Sequence, residues 1–299
     1  MRMNWRAFLA IMVLAGVGLA TTPAAVAQDS QFLMPEQSAA KAKELLQQAI
    51  DALGGPAYLN VHDVTCTGRL GSFDHSGELT GFGKFIDFAE PPMRERQENL
   101  PKRNIVEIYD GDKGWTLDRG GVSNAPKADL AEFQETVQRD IDNILRHRIH
   151  EPDMVLRYAG RDTVDLRPVE WVELVDGGNR TIRIAFSATS HLPVRKTVEA
   201  RDPKLRMTME EVEYYSNYHP VGGIQTAFQI TREKNGMKVF QVFFDKCDYN
   251  TGLSDSLFTR QSLDERWSKV GKKEREKEKN KKEKADKDRK DRDDTDDRN

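Results

Sequence analysis

Hydrophobic and polar positions along the chain change their period at two points, and each change predicts a different element. Apolar side chains first fall at Ala42, Leu45, Leu46, Ala49, Ile50 and Leu53. That three- and four-residue spacing predicts a helix with one buried stripe. Pro35 stands near its start, and Gly54-Gly55-Pro56 ends it with a left-handed cap and a breaker. The period then drops to two. Val64, Cys66 and Leu70 share one face of a strand whose other face carries Asp63, Thr65, Thr67 and Arg69. Strand-like runs follow at 78–88, 93–99, 105–109 and 114–118, separated by Gly, Pro and Asp clusters.

A second helical stripe comprises Leu130, Phe133, Val137, Ile141, Ile144 and Leu145, predicting a helix over 128–149. Alternation then resumes. Ile182, Ile184 and Phe186 face away from Thr181 and Arg183, and Ile224, Thr226, Phe228 and Ile230 alternate with Gln225, Ala227 and Gln229. The run 237–249 has Val239, Phe240, Val242, Phe243 and Phe244 on both faces, so both faces need cover. About eleven strands joined by short turns, with no strand–helix–strand alternation, exclude a doubly wound parallel sheet. The expected fold is α+β: a large antiparallel sheet curled into an unclosed half-barrel, with the two main helices on its concave side.

Composition divides the chain into three. The 299 residues are 37% hydrophobic and 32% charged, but the ends differ sharply from the middle. Arg2 and Arg6 precede an uncharged apolar run, Phe8 to Leu19, and Ala25-Val26-Ala27 offers a small-residue cleavage site. This is the layout of a secretory signal peptide over 1–27, and its removal takes the formal charge from −3 to −5. No later apolar run approaches the ~20 residues of a membrane-spanning helix. A half-barrel domain is expected over 28–263. The remainder, 264–299, is a charged tail rich first in Lys and Glu and then in Asp and Arg, expected to pass from exposed helix to disorder. The overall charge argues against nucleic-acid binding. Export permits a disulfide between Cys66 and Cys247; the alternative is two buried thiols.

The order of several short motifs resembles the outer-membrane lipoprotein-sorting carriers of the LolA/LolB type. Gly81-Phe82-Gly83 leads to a proline break at Pro91-Pro92, then Arg94-Glu95-Arg96, then Tyr109-Asp110-Gly111 with Trp115 four residues after the glycine. The helix ending in Gly-Gly and the closing 253–258 are similar to the wider family, and the resemblance spans 36–258. It implies a periplasmic half-barrel that shields acyl chains. Those carriers have an arginine latch before the proline break; Glu90 stands there in this chain, so the latch does not carry over.

Catalytic signatures are absent: the sequence contains no H-E-x-x-H, G-x-S-x-G or P-loop pattern. His147 and His150 read as a solvated basic helix end, and Asp110, Asp112 and Gly114 as a hairpin turn. The candidate cavity lining is Val64, Leu79, Phe85, Ile108, Trp115, Ile184, Phe186, Phe228 and Phe243. Their alternation would be the same in a filled core, and Trp115 would equally anchor its turn. Arg94 and Arg96 are candidates for a head-group contact at the cavity mouth, against cross-strand pairing with nearby glutamates. The expectation is a monomeric exported carrier or chaperone, without catalysis, cofactor or metal. Its partners would be an acyl lipid or lipoprotein and an envelope donor or acceptor. The alternatives are an envelope sensor on the same fold, binding a protein partner, and an envelope hydrolase, which the missing signatures disfavour.

Overall fold

The computed structural model describes residues 33–201 and 208–269; the signal-peptide assignment and the tail beyond 269 lie outside the described residues. The chain enters through helix α1 (Pro35–Leu53), which ends where Gly54 takes φ 132°. A Cβ on Gly54 would lie 2.5 Å from the Gly223 carbonyl oxygen, so glycine lets the helix end abut a hairpin turn. The stripe expected from the sequence is the buried one: Ala42, Leu45, Leu46, Ala49, Ile50 and Leu53. Its four larger side chains stabilise the fold by ~6–12 kcal/mol in total, an upper figure. A one-turn helix, α2 (Pro56–Leu59), follows.

Six strands then meander: β1 (Val64–Phe73), β2 (Leu79–Glu90), β3 (Arg94–Leu100), β4 (Val106–Asp110), β5 (Lys113–Asp118) and β6 (Gly121–Asn124). After a helical insert come β7 (Val155–Val164), β8 (Arg167–Val175), β9 (Thr181–Ser187), β10 (Pro193–Arg201), β11 (Thr208–Val221), β12 (Ile224–Lys234) and β13 (Met237–Tyr249). They form one sheet of thirteen strands in the order 6-5-4-3-2-1-13-12-11-10-9-8-7. Every described ladder is antiparallel. The sheet is unclosed, because β6 and β7 are its two edges. The count exceeds the expected eleven, in part because β6 has four residues and one large apolar side chain, Val122, too few to show alternation. Tight turns set the register: Asn235-Gly236 and Gly222-Gly223 both have positive φ at both positions, the geometry that matches strand twist.

Among the described strands, the β1–β13 ladder alone joins the first six strands to the last seven. Cys66 and Cys247 lie directly opposite each other in it and are bonded, with Cα atoms 4.1 Å apart. A register shift between Thr67 and Gly68 follows at once. A Cβ at Gly68 would meet the Phe243 carbonyl oxygen at 2.5 Å.

The second helix differs from the sequence expectation. It breaks into α3 (Lys127–Arg139) and α4 (Ile141–Arg146), with a 3-10 turn at Arg148–His150. Asp140 is extended (φ −61°, ψ 132°), and its Oδ1 accepts from the Asn143 amide at 2.8 Å, starting a new helix. The Asn143 side chain donates to the Val137 carbonyl at 2.8 Å and so closes the end of α3.

Cover on the concave side is uneven. Over β7–β10, α1 and α4 fill the space: Ile144 and Leu145 join the α1 stripe with Val172, Leu174, Ile182, Ile184, Phe186 and Val198 in one core. On the opposite face of β4 and β5, the closing 3-10 turn Asp255–Phe258 and the helical stretch 260–269 cover Val106, Ile108 and Leu117 with Phe258 and Leu263. Arg266 reaches Glu98 at 2.9 Å, so the body includes at least that residue.

Candidate functional site

Between the filled core and the β1–β3 wall, the concave face is left open. A cavity of about 380 Å³ lies there, within the size range of small-molecule sites, roughly 300–1,000 Å³. Its floor is formed by β1, β2, β12 and β13, with Val64, Ile230, Phe240, Val242 and Phe244 facing inward. Its roof is α3 and α4, contributing Phe133, Val137, Ile141 and Leu145. The lining runs along β12 from Ile224 to Arg232, about 27 Å at the usual strand rise. Alternation builds the apolar floor: on β13, Phe240, Val242 and Phe244 point in, while Arg69 lies against the Phe243 ring at 6.0 Å.

Polar groups cluster along the roof and one wall. Glu95 and Asp87 project from β3 and β2, and Asp140 from the break between α3 and α4. Burial pushes the Glu95 carboxyl up to about 7, with the charges of Asp140 and Glu107 adding to the effect. Burial pushes Asp140 up to about 6, with Asp142 adding and Lys196 opposing. Asp87 is raised well above the usual carboxylate range by burial and by Glu95; its buried Oδ1 has no hydrogen-bond partner among the described residues. All three are shifted toward the protonated form, Glu95 far enough to be about half protonated near neutrality, which leaves that wall less charged than its composition implies.

Glu213 behaves in the opposite way. Burial alone would raise it, but Lys196 and Arg232 hold it well below the usual carboxylate range. Lys196 Nζ donates to Glu213 at 2.6 Å and to the Arg139 carbonyl at 2.6 Å, while Arg232 Nε donates to Glu213 Oε1 at 2.7 Å. Tyr215 adds its hydroxyl to the same carboxylate. This satisfied network ties β10, β11 and β12 to the C-terminal end of α3.

At the α2–α4 end, Arg146 lies over the Tyr58 ring at 4.4 Å. The Tyr58 hydroxyl donates to Asp142 Oδ1 at 2.7 Å. Burial and the nearby Asp142 push Tyr249 up to about 12, so its hydroxyl, 2.8 Å from Thr226 Oγ1, stays protonated.

The residues singled out from sequence are dispersed. Val64 lines the cavity. Phe85 is buried next to it, edge-on to Phe244 at 6.0 Å. Ile184 and Phe186 belong to the filled core. Ile108 and Trp115 belong to the cluster under the closing 3-10 turn, where Trp115 anchors its hairpin. Phe228 lies edge-on to His219 at 5.0 Å, Phe243 lies under Arg69, and Leu79 is 56% exposed. Arg94 borders the cavity but is engaged by Glu90 at 2.6 Å and Asp255 at 2.7 Å. Arg96 is fully buried under the closing segment, bonded to Glu98 and to the Leu257 carbonyl. His147 and His150 are exposed, as the solvated reading expects, whereas Arg146 and Arg148 beside them are buried. Sequence reasoning missed Arg146, Tyr58 and the wall acids. Tyr58 sits in a four-residue helix too short to show a period, and Arg146 reads as one of a basic run. No group of three or more His, Cys, Asp or Glu arranged to hold a metal occurs among the described residues.

Solved structures share this unclosed antiparallel half-barrel. A DUF1329 family protein from Desulfovibrio piger matches with TM-score 0.54 and 14% identity, over 74% of this chain and 98% of that one. A domain named for outer membrane lipoprotein sorting, from Vibrio parahaemolyticus, matches with TM-score 0.51 and 10% identity, over 76% and 99%. The fold is therefore LolA-like. No protein-family model and no curated protein matches the sequence.

Proposed function

We propose that the protein is an exported, non-enzymatic carrier that shields an acyl chain, free or on a lipoprotein, in the half-barrel cavity. The observation that carries this reading is the uneven cover of the concave face. One half is packed solid, while the other keeps an elongated apolar channel floored by Val64, Ile230, Phe240, Val242 and Phe244. Each buried methylene contributes ~0.8 kcal/mol, so ten of them give ~8 kcal/mol before the cost of ordering the chain. No specific polar contact is required for retention. The Cys66–Cys247 bond fits an oxidising compartment such as the periplasm, and no described helix is long and apolar enough to cross a membrane.

Native mass spectrometry of protein purified from an envelope fraction, followed by organic extraction, tests the reading. A stoichiometric acyl species supports it. An apo mass with no uptake of added lipid overturns it and leaves the envelope-sensor alternative, in which the fold binds a protein partner.

A further inference from the structure

Arg146 is the one cavity-lining cation among the described residues that combines near-complete burial with the absence of any hydrogen bond. Its side chain is 4% exposed, and its Nε is buried without a partner. The nearest carboxylate oxygen, Asp142 Oδ2, stands 3.7 Å from Nη2, beyond hydrogen-bond reach, and Asp142 Oδ1 already takes the Tyr58 hydroxyl. The other two lining arginines are committed, Arg94 to Glu90 and Asp255, and Arg232 to Glu213. A buried guanidinium carries five N–H donors and cannot discharge itself by losing a proton. Leaving those donors unmade inside the protein costs more than a typical hydrogen bond contributes. Arg146 lines the cavity with its guanidinium carbon 4.4 Å from the centre of the Tyr58 ring. A planar fork of donors in that setting matches an oxyanion that can accept two parallel hydrogen bonds.

We infer that Arg146 is a head-group receptor, and that the ligand is a single-chain amphiphile with a carboxylate or phosphate head. The head would sit at the α2–α4 end beside Tyr58 and Tyr249, and the chain would run along β12 and β13 toward Phe240. The Tyr249 hydroxyl is held protonated and so adds no competing charge. The length of the lining along β12, about 27 Å, accommodates an extended long acyl chain. This inference rests on the carrier reading and narrows its ligand class.

The test is displacement of the neutral fluorophore N-phenyl-1-naphthylamine from the full chain by palmitate, hexadecyl phosphate and hexadecanol at about pH 8, where both heads are charged. Wild-type protein should bind at least one oxyanion lipid about tenfold or more tighter than hexadecanol. Which of the two gains the advantage identifies a carboxylate or a phosphate head. Arg146→Gln should erase that advantage and leave hexadecanol binding unchanged. Arg146→Lys, which keeps charge but loses the fork, should lose most of it, and it provides the readout if the glutamine variant does not fold. An advantage that survives in both variants, or equal binding of all three lipids by wild type, overturns the inference and leaves the carrier reading standing. If neither the fluorophore nor any lipid binds, both fall together.

Discussion

Replacing both Cys66 and Cys247 with alanine should weaken the joint on which the two halves of the sheet depend. Strands β1–β6 and β7–β13 meet in a single described ladder, and the bond crosses it between directly opposed residues. The sequence separation is 181 residues. Loop-closure entropy for a loop of that length assigns the cross-link about 5 kcal/mol, an upper value because native strain and denatured-state structure subtract from it. For a body of this size, each kcal/mol moves the midpoint by about 2–4 °C, so the double variant should melt below the oxidised wild type by up to ~10–20 °C. Thermal unfolding followed by circular dichroism, with and without reductant, measures this. Reductant should lower the wild-type midpoint toward that of the double variant and leave the variant itself unmoved. A double variant melting within about 2 °C of wild type would refute the reasoning, because it would show that strand pairing and burial hold the joint without the cross-link.

Three further outcomes are expected. Glu95 has a folded-state pKa of about 7, above its ordinary value, so between about pH 4.5 and 7 the folded state binds more protons and stability falls as pH rises. Glu95→Gln should flatten that fall and stabilise the protein at about pH 8 by ~1–3 kcal/mol; denaturant titrations with identical pH slopes for the two proteins would contradict it. Glu213 has the opposite shift, so its contribution is present near neutrality and is lost as pH falls through its depressed folded-state value. Glu213→Gln leaves Lys196 buried without its counter-charge and should cost ~3–5 kcal/mol, whereas Arg161→Gln, which breaks a pair whose arginine is 73% exposed, should cost under about 1 kcal/mol in the same urea titration. Gly68→Ala should lower the midpoint by ~2–12 °C, because its methyl would press on the Phe243 carbonyl at the β1–β13 irregularity; an unchanged midpoint would mean that the ladder yields there freely.

The large elements were readable because their signals are local. The α1 stripe, its Gly-Gly end and the two-faced β13 follow from spacing and turn chemistry alone. The break at Asp140 was not readable, because Phe133, Val137, Ile141, Ile144 and Leu145 keep helical spacing straight across it. The cap that creates it is a single side-chain bond to Asn143. Cavity lining was less readable still. Alternation tells which residues share a strand face, but whether that face meets a helix or open space depends on where the helices land. Ile184 and Val242 both lie on apolar strand faces, yet Ile184 packs into the filled core while Val242 meets the cavity. Arg146 and Arg148 look solvated in a run of basic residues, but the fold buries Arg146 against the Tyr58 ring and Arg148 against Glu151 and Asp176.

The carrier reading turns on where an acyl chain sits. Two-dimensional amide NMR with a doxyl-labelled stearate measures that position, because the spin label broadens only nearby resonances. Broadening is expected for amides in Ile230–Arg232 and Phe240–Phe244, with the exposed Leu166 in the β7–β8 turn unaffected. Broadening confined to the turn at Leu166, or none at all, would contradict the carrier reading.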